Sequence, residues 1–309
     1  MHFDLHMHSV NSHDGFYSEK ELIARAKEKK LDLIALCDHN TTAGIPAIIK
    51  EGSKQNLSVI AGIELDTLFE GHEIHILGYN IDPSYPYFTD LSKKIDNLEK
   101  KALKERIEKV IDYFHLQPES ERLMNVAAAS TTPFASVIQD ILSDSRYREI
   151  TAFDPYRKEG GNVFFFWDYC SAEGPCHVSV DYPGLKENIQ HIHNAGGIAI
   201  IAHPYHTFDH NEPLLDRALK TGIAGIEAFS NYHSAQQNHF YAAYCDKKDC
   251  LATFGSDFHG PFKPQIEMGD YHYDLQEEWR QKKLTQFLSA LKNKQKDHSF
   301  CLFFSDVHR

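Results

Sequence analysis

Positive charge is what this 309-residue chain is shortest of: 32 Lys and Arg stand against 44 Asp and Glu, a formal net charge of −12 at pH 7. A general nucleic-acid-binding surface needs Lys and Arg to displace counterions, so long nucleic acid is not an expected partner. A small phosphorylated substrate is not excluded, because bound metal cations supply positive charge that a residue count misses. No stretch approaches the roughly 18 apolar residues of a membrane span, so no membrane partner is expected. The six cysteines, Cys37, Cys170, Cys176, Cys245, Cys250 and Cys301, form no CxxC pair and no small-domain framework. Cys170 and Cys176 are close enough in sequence to pair, but scattered thiols fit a reducing compartment. The N-terminus shows no basic region followed by an apolar run, and a cytoplasmic location is expected. No internal repeat or low-complexity tract is visible.

Histidine is in excess, at 20 residues. It is the commonest metal ligand and the usual acid or base near neutral pH, so the excess points to a metalloenzyme. The first segment, Phe3-Asp4-Leu5-His6-Met7-His8, reads as a strand running into a polar loop. Strand side chains alternate faces, which puts Asp4, His6 and His8 together opposite Phe3, Leu5 and Met7. Two imidazoles at i and i+2 can converge on one ion; alone, such a pair is as readily two solvated histidines.

Further along, Ser18 and Glu21 form a capping box for a helix ending near Lys30. Leu31 to Cys37 is an apolar run fit for a buried parallel strand and stops at Asp38-His39-Asn40. Ser58 to Ile63 is a strand with Glu64 at its end, and Glu73 to Tyr79 a strand carrying His75. Over 88–178 the pattern changes to long helical spacing (Leu91, Ile95, Leu98, Ala102, Ile107, Val110) and then to less regular sequence. We expect this region to be a mainly helical cap inserted into a barrel formed by 1–87 and 179–309, with the aromatic run Phe164-Phe165-Phe166-Trp167 in the cap's core. Strand–helix alternation then resumes: a helix over Pro183 to Asn194, a strand ending at His203-Pro204, a strand over Ile223 to Phe229, and a strand ending in Gly255-Ser256-Asp257-Phe258-His259. A last helix near Lys283 to Lys292 precedes a strand at Phe300 to Phe304. Repeated βα units imply a parallel sheet covered by helices. Polar residues at the ends of many strands, rather than at one switch point, favour a closed barrel over an open sheet.

Collected, those ends supply His6, His8, Asp38, His39, Glu64, His75, His203, Asp257 and His259, with Asp14 in the loop after the first strand. Each has an ordinary alternative, as a cap, a turn residue or a satisfied core histidine. Jointly they do not, because burying so many imidazoles and carboxylates without a cation would be costly. His6-x-His8, Asp38-His39-Asn40-Thr41-Thr42-Ala43-Gly44, Glu64, His75-Ile76-Leu77-Gly78-Tyr79, Ala202-His203-Pro204 and Gly255-Ser256-Asp257-Phe258-His259-Gly260 resemble the motifs of the PHP (polymerase and histidinol phosphatase) family, over about 1–87 and 179–265. The resemblance implies an α/β fold, a distorted (β/α)7 barrel, holding two or three divalent ions and hydrolysing phosphoesters. It implies one ion on His6, His8, Glu64 and Asp257, a second on Glu64, His75 and His203, and a third on Asp14, His39 and His259. The loop His8-Ser9-Val10-Asn11-Ser12-His13-Asp14-Gly15 is one residue longer than the family's usual pattern, so either His13 or Asp14 can serve there; the following Gly15 favours Asp14. His206 stands where relatives often carry an arginine.

Clustered divalent ions lower the pKa of a bridging water, giving hydroxide that attacks phosphorus in line. Imidazole and carboxylate donors suit Mn, Fe or Zn. His206 is the first candidate for phosphate contact or general acid and Asp38 the second, Asp38 being equally suited to orienting a metal-bound imidazole. Arg146, Arg148, Arg157 and Lys158 of the cap offer charge for a second phosphate, with Arg148 and Arg157 the candidate contacts. The expected activity is a metal-dependent phosphoesterase for small molecules, foremost nucleotides as mono-, bis- or cyclic phosphates. The alternatives are an exonuclease on short oligonucleotides, a histidinol-phosphate phosphatase and a non-catalytic metal-binding regulatory module.

Overall fold

Alternating apolar runs and helix-capping signals build the barrel. The computed structural model describes residues 1–117, 120–130, 132–158, 160–171, 174–205 and 207–295. Among these, seven strands lie side by side in chain order in one sheet: β1 (Phe3–Met7), β2 (Leu33–Leu36), β3 (Ser58–Phe69), β4 (His72–Tyr79), β5 (Ile198–Ile201), β6 (Gly225–Ser230) and β7 (Leu251–Gly255). The helices are α1 (Glu19–Glu28), α2 (Ile45–Lys54), α3 (Pro86–Tyr113), α4 (Ser120–Ala128), α5 (Pro133–Ser143), α6 (Gly161–Phe165), α7 (Leu185–Asn194), α8 (Glu212–Leu219), α9 (Ala235–Lys248) and α10 (Glu277–Gln295). The fold is α/β, a distorted (β/α)7 barrel. The expected strand at 300–304 lies outside the described residues.

Local chemistry explains the helix starts. Ser18 and Glu21 form the expected capping box on α1, and Ser234 with Gln237 forms a second on α9. Leu22, Ile23 and Ala26 on one face of α1 then bury against Ile34, Leu36, Ile48 and Val59, the periodicity of a helix laid on a sheet.

The ring closes at the end of β1. His8 N donates to Phe258 O at 2.9 Å and Asp257 N to His6 O at 2.9 Å, so the segment after β7 pairs with β1. One strand departs from the expected all-parallel pattern. β4 runs antiparallel to both β3 and β5, because Glu70 and Gly71 turn the chain straight back. Both have positive φ, 50° and 83°, the signature of a two-residue type I′ hairpin. Glu64 therefore lies in the middle of a 12-residue strand rather than at a strand end. His75, paired with Asp66, reaches the same rim from the first half of β4.

The chain divides into two compact units. The first comprises Met1–Ser92, Tyr182–Pro261 and the described residues from Gln265 onward; the second comprises Lys93–Asp181 and Phe262–Pro264. The second unit has its own core, in which Val110, Leu123, Val137, Ile138, Phe153 and Phe165 are buried. Of its aromatic run, Phe165 is in this core and Phe166 packs against it, while Phe164 is exposed. No helix among the described residues is long and apolar enough to cross a membrane.

Candidate metal centre

One carboxylate, Glu64, faces five imidazoles. Its Oε2 lies 3.0 Å from His6 Nε2, 3.2 Å from His8 Nε2 and 3.4 Å from His39 Nε2. Its Oε1 lies 3.0 Å from His75 Nδ1 and 2.9 Å from His203 Nε2. The side chain is fully buried, and the extended run of β1 into the residue that follows it delivers His6 and His8 to it together. Asp257 completes the first group, its Oδ1 2.8 Å from His8 Nε2 and 3.1 Å from His6 Nε2. Asp14, from the loop after β1, places Oδ2 2.9 Å from His259 Nε2 and 4.0 Å from His39 Nε2. His13 instead lays its ring against His39 at 5.0 Å.

Three sets of donor atoms thus converge: His6, His8, Glu64 and Asp257; His39, Glu64 and His75; and His8, Asp14, His39 and His259. His203 joins through Glu64 Oε1. In the first set, five donor–donor separations fall between 2.8 and 3.2 Å. A point equidistant from four donors so spaced lies about 2 Å from each, the length of zinc–nitrogen and zinc–oxygen bonds. His6 Nε2 and His8 Nε2 sit 3.2 Å apart, an approach that a cation between two lone pairs explains directly. The donors fit a divalent metal.

The charges agree. Burial pushes the His6 imidazole down, but Asp257, Glu64 and Glu227 together lift it well above its usual value. Burial likewise opposes the rise of His39 to about 10, which the carboxylates of Glu64, Asp14 and Asp66 drive. Burial raises Glu64, yet His39, His6 and His75 and the bond from His203 hold it well below the carboxylate range. Such a cluster demands positive charge, and protons or cations can supply it. Two of its residues adopt left-handed backbone, His203 at φ 20° and Asp257 at 58°, as does Asn40 beside His39 at 54°; strain of this kind is stored where a site needs it.

Asp38 belongs to none of the three donor sets. Its Oδ1 accepts Ser9 N at 2.6 Å and its Oδ2 accepts Ser9 Oγ at 2.7 Å, fastening the loop after β1. Burial lifts it to about 6, against the His8 charge and the Ser9 bonds. His206 lies outside the described residues. Arg148 and Arg157 belong to the second unit, where Arg157 Nη2 donates to Tyr147 O at 2.7 Å and Arg148 O at 3.4 Å, and Arg148 is exposed. Arg146 pairs with Asp144 at 2.6 Å, and Lys158 Nζ lies over the Phe164 ring.

Three further buried carboxylates support the donors without a ligand signature of their own in the sequence. Asp66 lies 3.2 Å from His39 Nδ1 and 3.4 Å from His75 Nε2. Glu227 lies 3.1 Å from His6 Nδ1. Asp4 accepts Ser256 N at 2.9 Å and Gly269 N at 2.8 Å, steadying the segment that carries Asp257. A signal existed for each: Asp4 and Asp66 stand two residues from His6 and Glu64, hence on the same strand face, and Glu227 is a lone charge in an apolar strand.

A family model described as the PHP domain matches residues 4–158. A 5′-3′ exoribonuclease of Haemophilus influenzae is 30% identical over 266 residues, covering 84% of this chain and 90% of the relative. A 3′,5′-nucleoside bisphosphate phosphatase of Chromobacterium violaceum is 29% identical over 273 residues, covering 86% and 90%. Among solved structures, an amidohydrolase from Chromobacterium violaceum with bound sulfate and no metal superposes with a TM-score of 0.71 at 25% identity, covering 95% of this chain and 97% of that one.

Proposed function

Because this chain belongs to the PHP domain family, we propose that it is a metal-dependent phosphoesterase acting on small nucleotides, with bisphosphorylated nucleosides foremost. The observation that carries this reading is the sharing of Glu64 between five imidazoles, its two oxygens serving different donor groups. His6, His8, Glu64 and Asp257 would hold one ion, Glu64 with His75 and His203 a second, and Asp14, His39 and His259 a third, of Mn, Fe or Zn. Bound there, divalent cations supply the Lewis acidity and the ionised water that phosphoester hydrolysis needs near neutral pH.

The chain's own residues set the rest. His75, Asp14 and His203 keep 23%, 23% and 15% of their side chains exposed, while His6, His8 and His259 are fully buried; the phosphate would enter past these three donors. Asp38 is a positioning residue: it holds Ser9, and through it the loop that presents His8 and Asp14. His206 follows His203 by three residues and is our candidate for gripping the phosphate and protonating the leaving oxygen. Tyr232 sets its ring 5.5 Å from that of His203 and stacks on Tyr205 at 5.5 Å with 5° between planes. This aromatic pair beside the open side suits a nucleobase, whose π-face stacks without hydrogen-bond readout.

Phosphate release tests the reading. The protein loaded with Mn²⁺ is offered nucleoside bisphosphates, mononucleotides, cyclic nucleotides, sugar phosphates and histidinol phosphate. Release from nucleoside bisphosphates ahead of the sugar phosphates is expected; metal bound with no release from any substrate would overturn it. A second reading, trimming of RNA from the 5′ end, is favoured by the exoribonucleases among the relatives. A length series from dinucleotide to 20-mer separates the two, since the net charge of −12 should make long chains poor substrates at low salt.

A further inference from the structure

Glu227 is a fully buried carboxylate that none of the three donor sets uses. It sits in β6 between Ile226 and Ala228, where a carboxylate is costly to bury without partners. Its partners lie on two different parts of the barrel. Oε1 stands 3.1 Å from His6 Nδ1, on β1, and Oε2 accepts the backbone N–H of His203 at 2.8 Å, in the turn after β5. His203 is the residue whose φ of 20° places it in left-handed backbone.

We propose that Glu227 is a positioning residue that fixes the tautomer of His6 and holds His203 in its strained turn, so that one side chain tunes two of the donor groups together. The inference rests on the metal-centre reading above. A neutral imidazole has one N–H, and an acceptor at Nδ1 draws it there. The lone pair of His6 Nε2 is then left to face Glu64, Asp257 and His8, as a metal ligand requires. A carboxylate offers only acceptors, so it serves the imidazole N–H and the backbone N–H at once. The position is also close-fitting: a Cβ added to Gly255 would lie 2.5 Å from Glu227 Oε1 and 2.2 Å from His6 Cβ, so Glu227 and His6 fill the space that a side chain at 255 would need.

Glu227→Gln keeps the shape and breaks this logic. The amide oxygen must meet the His203 N–H, whose donor cannot change. The NH2 group then faces His6 Nδ1, which has to accept, and the imidazole proton moves to Nε2 where the ion binds. Glu227→Asp keeps two acceptors on a shorter arm.

The test measures Mn²⁺ affinity by calorimetry and ion count by mass spectrometry of the full chain, in wild type and both variants, beside metal-free melting. We expect the Gln variant to bind about 10- to 100-fold more weakly, and the Asp variant to bind more tightly than the Gln variant. A role in filling space alone would reverse that order, because Gln preserves volume. Equal affinity in wild type and Glu227→Gln, or Gln binding more tightly than Asp, overturns the proposal. Should the variants not fold, ¹⁵N shifts of His6 in the zinc-loaded wild type decide: a proton on Nδ1 supports the assignment and a proton on Nε2 overturns it. Wild type that binds no divalent ion overturns the metal-centre reading itself, and this inference with it.

Discussion

Asn40 and Asp66 exchange two hydrogen bonds. Asn40 Nδ2 donates to Asp66 Oδ2 at 2.6 Å, and Asp66 N donates to Asn40 Oδ1 at 3.1 Å. Asn40 N also donates to Glu64 O at 2.7 Å, so the loop carrying His39 is fastened to the strand carrying Glu64. At φ 54° the position suits Asn, which tolerates left-handed backbone better than other side chains. Asn40→Ala loses both side-chain bonds and takes on backbone strain, an expected cost of about 2–4 kcal/mol in urea unfolding of the metal-free protein. Asn40→Gly loses the bonds without the strain and should cost about 1 kcal/mol less than Ala. An Ala variant within about 0.5 kcal/mol of wild type would show that the exchange is not what holds the loop.

Metal removal should be felt as instability as much as lost turnover. Cations that bind only the folded chain at about a hundred times their dissociation constant add about 2.7 kcal/mol. For a chain of this size that is a fall in Tm of roughly 3–5 °C on chelation, reversed by added Mn²⁺. Asp257→Asn keeps the shape of the group but removes its charge from beside His6 and His8. Phosphate release should drop at least about a hundredfold, with Mn²⁺ no longer raising Tm to the wild-type extent. Undiminished release from this variant would mean the donor set is misassigned.

Ligands close in sequence were the easiest to read. His6 with His8 and Asp257 with His259 declare themselves because residues two apart in a strand or its continuation share a face. Glu64 and His75 were found although their strand geometry was not. The type I′ turn at Glu70-Gly71 sets β4 antiparallel, and Gly after Glu is a weaker hairpin signal than Asn-Gly or Asp-Gly. Asp66 and Glu227 leave only a weak mark in the sequence, a shared strand face and a lone charge; that each meets a ligand's far nitrogen follows from three-dimensional pairing. Glu227 meets His6 across 221 residues of sequence. The second unit's helical periodicity was legible in α3, but the hydrogen bonds of Arg157 go to the carbonyls of Leu142, Tyr147 and Arg148, which leave no mark in side-chain patterns.

The same barrel rim explains a glycine. A methyl group at Gly255 would meet His6 Cβ at 2.2 Å and Glu227 Oε1 at 2.5 Å, distances no Cβ tolerates, and both neighbours are buried. Gly255→Ala is expected to cost at least about 1–3 kcal/mol by overpacking and to weaken Mn²⁺ binding, since the nearest atom that must give way belongs to His6. Calorimetric titration of the folded variant checks this; wild-type affinity would mean that β7 shifts and His6 does not.

His233 supplies a pH dependence of folding from a group that is not itself one of the proposed metal donors. Its side chain is buried, with Nδ1 3.0 Å from Asn238 Oδ1 and the ring 4.9 Å from that of Tyr241. Burial, helped by the His203 charge, depresses its pKa from 6.5 to about 3. Because the folded value is the lower one, the unfolded chain takes up a proton below pH 6.5 that the folded chain refuses. Stability from this group is therefore complete above pH 6.5 and is lost as pH falls from there toward 3. Each pH unit inside that window is worth about 1.4 kcal/mol, so between pH 6.5 and 4.5 the loss is roughly 2–3 kcal/mol. His233→Gln removes the titrating group while keeping a polar contact for Asn238. In urea unfolding of metal-free protein across pH 4.5–7, the wild-type stability should fall more steeply than that of the variant by this amount. Parallel curves for the two proteins would mean that His233 is protonated in the folded state as readily as in the unfolded one.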